Sequence, residues 1–243
     1  FLSREAGGIA ASHQAANVGE IVHALAQRVA TDDLPADVDV LMQHVDAVWD
    51  RLNFRVQWAS LREHARIRAA LERFVAWHAA SSRRLLGVEV AFRADVTLDD
   101  GETVTLTGRA DRLEIDHEGR VVVVDLKTGR VPPSDRSVES NAQLAVYQLA
   151  VDNGGLDEVA PGATAGGGEL VQLGIADLAA PVKVQRQEPH TDDTAVRAEL
   201  RQQLAVAARR LRAESLPAVS GDHCKRCDFL SLCPIKGAGA VTA

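Results

Sequence analysis

Apolar positions recur every three or four residues through the first third of the chain, then at every second residue or in short runs. Val18, Ile21, Val22, Leu25 and Val29 make a helix stripe within residues 1 to 30. A second helical region is predicted from about 37 to 86, with Trp49, Leu52, Trp58, Leu61, Leu71, Phe74 and Trp77 as its core side. The period then changes. "LGVEVAFRADVTL", "ETVTLTGRADRLEID" and "GRVVVVDLKTG" alternate or run β-branched, and "DDG" and "HEG" between them are turn chemistry, so a three-stranded meander is expected. "RVPPSDRS" reads as a loop and "ESNAQLAVYQLAV" returns to helical spacing. "GGLDEVAPGATAGGG" is glycine-rich enough to predict a surface loop, leading to a further strand in "ELVQLGIADL". A last helix, "DDTAVRAELRQQLAVAARRLRAE", precedes a tail that holds every cysteine. The expected organisation is one domain with a mainly helical portion at 1–86, an α/β core at 87–215 and a cysteine-containing tail at 216–243.

Composition narrows this picture only slightly. The chain has 243 residues, 46% hydrophobic and 25% charged, ordinary globular values with length for a real core. Its formal charge of -7 excludes a whole-chain basic footprint for nucleic acid but not a local patch. No run of about 18 apolar residues predicts a membrane span. The start, "FLSREAGGIAA", has neither initiator Met nor a signal-peptide pattern, and it reads as a piece of something longer. The three clustered cysteines, Cys224, Cys227 and Cys233, argue for metal ligation in a reducing cytoplasm rather than for disulfides.

The chemistry concentrates at the end of "VVVVDLKTGR". On a strand, residues two apart share a face, so Asp125 and Lys127 project together while Leu126 points into the opposite layer. A desolvated acid and amine are costly unless paired, hydrogen-bonded or holding an ion. In "LTGRADRLEID", Asp111 shares the alternating face of Leu113 and Ile115, and if "HEG" closes the hairpin it is nearly as far from the turn as Asp125. Two carboxylates and an amine then converge. Such oxygens suit Mg²⁺ or Mn²⁺, and beside such an ion a lysine can orient or deprotonate water, which is the chemistry of phosphodiester hydrolysis. Taken alone, Asp125 and Lys127 also fit a strand-end salt bridge, and Asp111 also fits a surface pair with Arg109 or Arg112.

"GRAD" followed, after a hairpin, by "VVVVDLKTG" resembles the PD-(D/E)xK nuclease motif, with Ala110 where the motif's usual proline stands. More narrowly, the chain is similar to the RecB-family nuclease domain of AddAB- and AdnAB-type helicase-nucleases. "GEIVHAL" matches its Gly-x-x-x-His element through Gly19 and His23, and "QLAVYQLA" matches Gln-x-x-x-Tyr through Gln143 and Tyr147. "CKRCDFLSLC" matches part of an AddB-like iron–sulfur motif. The resemblance implies an α/β, restriction-endonuclease-like core, a mixed central sheet flanked by helices, with an N-terminal helical portion. It implies a Mg²⁺- or Mn²⁺-dependent deoxyribonuclease in which His23, Asp111, Asp125 and the carbonyl of Leu126 hold the ion. Lys127 would act on the water, Gln143 and Tyr147 would orient the DNA strand, and Glu89 would be auxiliary. Arg109, Arg112, Lys127 and Arg130 make a short basic stretch that suits a DNA channel or a solvated face.

The same resemblance implies single-stranded DNA as substrate, a helicase motor in the same parent chain and a partner helicase-nuclease subunit. For the tail it implies a [4Fe–4S] cluster whose fourth cysteine lies upstream of this sequence, since the chain offers three thiolates where such a cluster wants four. A Cys₃His zinc site with His223 is the alternative. Two other functions stay open beside the nuclease: a catalytically silent DNA-binding or assembly module, and a standalone exonuclease of the CRISPR-associated kind.

Overall fold

A computed structural model describes residues 9–49, 57–191, 194–214 and 217–221 and, beyond these, 224, 225, 227, 229, 230, 233 and 235. The chain divides into two compact units, 18–205 and the two ends 1–17 with 206–243. In chain order the elements are helices α1 (Ile9–Ala30), α2 (Val38–Trp49) and α3 (Gln57–Ala80), then strands β1 (Arg84–Thr97), β2 (Thr103–Ile115) and β3 (Val121–Lys127). Helices α4 (Asp135–Glu139) and α5 (Ala142–Asp152), strands β4 (Ala165–Gln172) and β5 (Lys183–Gln187), and helix α6 (Ala195–Arg212) complete it.

The unit 18–205 is built on one five-stranded sheet in the order β1-β2-β3-β4-β5. Every neighbouring pair is antiparallel except β3 and β4, which run parallel. A parallel pair requires a crossover, and the segment carrying α4 and α5 supplies it. This makes β3 the middle strand, covered on both faces, and explains why it reads as a continuous valine run rather than an alternation. Val122, Val124 and Leu126 face Val22, Leu25, Leu41, Ile67, Leu71 and Phe74 of α1, α2 and α3. Val121 and Val123 face Leu144, Tyr147 and Val151 of α5. The expected mixed sheet flanked by helices, with a helical N-terminal part, is therefore present.

The turns follow their sequence signals. Gly119 closes the β2–β3 hairpin at φ 80, and the Asp116 carboxylate accepts from the backbone N–H groups of Glu118 and Arg120. Asn141 caps α5 by accepting from the Leu144 N–H at 3.0 Å. At the end of the sheet near this turn, Arg83 bridges the buried carboxylates of Glu114 and Glu169, tying β2 to β4.

Two expectations are corrected, and one strand had no expectation at all. The glycine run expected to be a surface loop enters the sheet: β4 begins at Ala165, and Gly167 and Gly168 are buried within it. A Cβ on Gly168 would lie 3.0 Å from Leu144, so a side chain there would push α5 off the strand. Strand β5 lies in "KVQRQ", too short and polar to signal itself. Trp58 and Leu61, assigned to the core by their spacing, are 64% and 66% exposed, because the buried stripe of α3 runs through Ile67, Ala70, Leu71, Phe74 and Trp77. Leu52 lies outside the described residues. Among the described residues, no helix is long and apolar enough to cross a membrane.

In the other unit, backbone hydrogen bonds link described residues around the cysteines. Cys227 N–H donates to the Cys224 carbonyl, Leu230 N–H to Cys227, and Cys233 N–H to Leu230.

Candidate metal centre and active site

The site forms where the β2–β3 ladder ends. Pairing runs from Ile115 opposite Val121 to Arg112 opposite Val124 and stops. Past it the strands part, and Asp111 turns its carboxylate into the gap, where Oδ2 accepts the Leu126 N–H at 2.8 Å. On the other side of β3, the Lys127 carbonyl accepts from Leu173 N–H. Backbone groups of successive strand residues alternate in direction, so the Leu126 carbonyl shares the gap with Asp111.

His23 reaches the same gap from α1, with Nδ1 3.6 Å from Asp111 Oδ2. Gly19, one turn earlier, explains the approach: a Cβ there would stand 3.0 Å from Thr128 Oγ1, just past Lys127. A third group arrives from β1. Glu89 lies opposite Asp111 between the paired couples Val88–Arg112 and Val90–Ala110, and its φ of 50 is left-handed backbone inside a strand. Ligand atoms of His23, Glu89 and Asp111 lie within 4.8 Å of one another, the one such group among the described residues. The Asp111 carboxyl is pushed up to about 6, first by burial, with Asp125 and Glu89 adding to it and His23 and the Leu126 N–H opposing it.

Asp125 is 3% exposed at the end of β3. Its Oδ1 accepts from Gln143 Nε2 at 2.7 Å. Its Oδ2 lies 2.7 Å from Lys127 Nζ, but off the direction a hydrogen bond needs, so this buried oxygen has an ion-pair neighbour and no hydrogen bond. Lys127 donates instead to Gln143 Oε1 at 2.8 Å. Gln143 also donates to the Tyr147 hydroxyl at 3.1 Å, and that hydroxyl donates to the Arg109 carbonyl. Gln143 and Tyr147, four apart on α5, thus hold the acid and the amine in register. Tyr147 is 8% exposed and set edge-on to Phe92, and burial above all raises its phenol. Both were expected on the DNA strand; here their polar atoms are engaged with the site itself.

The basic stretch divides. Arg109 is largely exposed, and Arg130, half exposed, is held by Glu63 at 3.1 Å. Arg112 is corrected as a DNA-facing group. It alternates away from Asp111, is 4% exposed, bonds Glu114 at 2.7 Å and stacks over Trp77.

These residues suit a hard divalent ion: two carboxylates and an imidazole within one coordination radius, a backbone carbonyl in the same gap, and an adjacent buried carboxylate oxygen with no hydrogen bond. The tail does not fit a metal so well. Cys224, Cys227 and Cys233 are free and half-buried, their sulfurs form no group within single-ion distance, and His223 lies outside the described residues. What the sequence did not reveal is the rank of Glu89, because its left-handed turn carries no signal in residue type.

A mixed sheet whose middle strand ends in an acid and a lysine, beside a second acid on the neighbouring strand, defines a nuclease fold of the restriction-endonuclease class. The family described as the PD-(D/E)XK nuclease superfamily matches residues 1–234, and the chain belongs to it. Nucleases of this superfamily use divalent metals. No curated protein matches the chain. Among solved structures, "Crystal structure of SSO0001" is similar with a TM-score of 0.43 and 17% identity, covering 90% of this chain and 85% of that one.

Proposed function

We propose that this chain is a Mg²⁺- or Mn²⁺-dependent deoxyribonuclease that hydrolyses phosphodiester bonds in single strands. The observation that carries the reading is the convergence of His23, Glu89 and Asp111 ligand atoms within 4.8 Å of one another, one strand from the buried Asp125 and its ion pair with Lys127 at the end of β3. His23, Asp111 and Asp125, with Glu89 and the Leu126 carbonyl, would hold a divalent ion, which would supply charge stabilisation at the scissile phosphate. Lys127, fixed by Gln143 and Asp125, directs its amine at the attacking water and orients it in line with the phosphorus. Asp125 holds that amine in place; Gln143 and Tyr147 keep both from rotating away.

The likeness to helicase-nuclease domains supports a strand delivered by a motor during DNA-end processing, with a partner subunit. The intact set of Asp111, Asp125 and Lys127 favours an active enzyme over a silent module.

The test is cleavage of end-labelled single-stranded DNA at low salt with Mg²⁺, Mn²⁺ or chelator. Metal-dependent products are expected from the parent chain. Asp125→Asn, isosteric and so compatible with the fold, is expected to lower the rate at least about a hundredfold, the scale for removing a group that acts in the transition state. Undiminished cleavage by a folded Asp125→Asn chain overturns the assignment.

A further inference from the structure

The proposed nuclease needs a surface on which the strand lies before it reaches Lys127, and one region of the unit 18–205 is built unlike its surroundings. Trp58 and Leu61, near the start of α3, expose 64% and 66% of their surface, a large apolar area open to solvent. Arg62 lies over the Trp58 ring at 5.1 Å. Residues 58, 61 and 62 share one helix face, so ring, leucine and guanidinium form one platform.

The platform is also joined to the catalytic strand. Glu63, one residue on, is bonded by Arg66 at 2.7 Å and by Arg130 at 3.1 Å, and Arg62 lies 3.7 Å from it. Arg130 follows Lys127 by three residues, and Val131 beside it is 84% exposed. Three guanidiniums surround one carboxylate, leaving a local surplus of two positive charges in a chain whose formal charge is -7. On the flank, His64 is bound to Asp46 and set edge-on to Trp49.

An exposed aromatic ring with arginines around it matches unpaired nucleic acid, whose bases offer apolar faces and whose backbone offers regular negative charge. A duplex keeps its base faces stacked inside and presents the ring with nothing to stack on. A protein partner would use the apolar area but not the surplus of guanidiniums. We propose that the face of α3 bearing Trp58, Leu61 and Arg62, continued by Arg130, is a stacking platform for single-stranded DNA entering the site. This rests on the nuclease reading for its substrate, but it is tested without catalysis.

Binding of a fluorescein-labelled oligothymidylate of about 15 nucleotides, a length of the order of one single-strand site, is followed by anisotropy in chelator, where no metal-dependent cleavage occurs. Trp58→Ala is expected to weaken binding roughly tenfold, the scale of one lost base stack, while Trp58→Phe binds nearly as the parent does. Tryptophan emission is expected to be quenched by saturating oligothymidylate in the parent and not in Trp58→Phe, because Trp77 is buried and Trp49 donates its indole N–H to Ser60. Trp58→Ala binding as tightly as the parent, or a parent that does not bind the oligomer at low salt, overturns the platform. Failure of the Asp125→Asn test with Trp58-dependent binding intact removes the nuclease and keeps the surface; the converse keeps the nuclease and removes the surface.

Discussion

Glu89 shows how much of a site rests on one backbone angle. Left-handed backbone costs a residue with a Cβ about 1–2 kcal/mol, and strain of this kind persists only where the surroundings hold it. Here the turn at φ 50 brings the carboxylate within ligand distance of His23 and Asp111, where it raises the Asp111 carboxyl further. Glu89→Gly removes both the strain and the repulsion. Its thermal unfolding midpoint without metal is expected to rise, by the equivalent of up to about 1 kcal/mol after the chain entropy of glycine is subtracted. Mn²⁺ affinity by calorimetry is expected to fall about ten- to a hundredfold, the range for losing a supporting group at a metal. Glu89→Ala separates the two effects, keeping the strain and losing the carboxylate. Unchanged Mn²⁺ affinity in both variants would make Glu89 a strained bystander. Alternation put Asp125 and Lys127 on one face and the hairpin brought Asp111 near them, but only the ordered set of motifs favoured a site over a salt bridge. The rank of Glu89 was not legible, because nothing in residue type announces a reversed φ.

Among the elements, the sheet is legible where chemistry and period agree and illegible where they conflict. β3 could be read from its valines because both faces are covered, and the β1–β2 and β2–β3 hairpin turns from Asp, Glu and Gly. β4 conflicts with its own composition: glycine weakens a strand, yet at Gly168 its missing side chain lets α5 approach so closely that a Cβ would meet three Leu144 atoms at 3.0, 3.2 and 3.4 Å. Leu144 is fully buried, and Gln143, which holds both Asp125 and Lys127, is its neighbour. Gly168→Ala is therefore expected to act on two links at once. Overpacking lowers stability by roughly 1–3 kcal/mol in denaturant unfolding, and the displaced helix carries the Gln143 amide away from the site. Cleavage falls by more than stability alone explains while Mn²⁺ affinity is retained, since His23, Asp111 and Glu89 sit on other elements. A variant with the parent's midpoint and rate would show that α5 yields freely and that the glycine is incidental.

For the whole molecule, the balance of charge decides how the substrate arrives. A chain with formal charge -7 offers DNA no long-range attraction, so binding depends on a few local contacts. Composition alone therefore argued neither for nor against a nuclease, and the folded arrangement of Arg62, Arg66 and Arg130 about Glu63 is what adds a positive surface. Each phosphate neutralised on a single strand contributes a slope of about -0.7 to log affinity against log salt. With the two exposed guanidiniums of Arg62 and Arg130 engaged, the slope for oligothymidylate is expected to be about -1.4, so a tenfold rise in salt weakens binding roughly 25-fold. Arg130→Ala removes one contact and is expected to flatten the slope by about 0.7. Trp58→Ala lowers affinity at every salt concentration without changing the slope, because stacking releases no counterions. That separation is the molecule-scale signature of a platform that combines one ring with a small ring of charge. A slope much steeper than about -1.4 that Arg130→Ala leaves unchanged would place the phosphate contacts elsewhere on the chain.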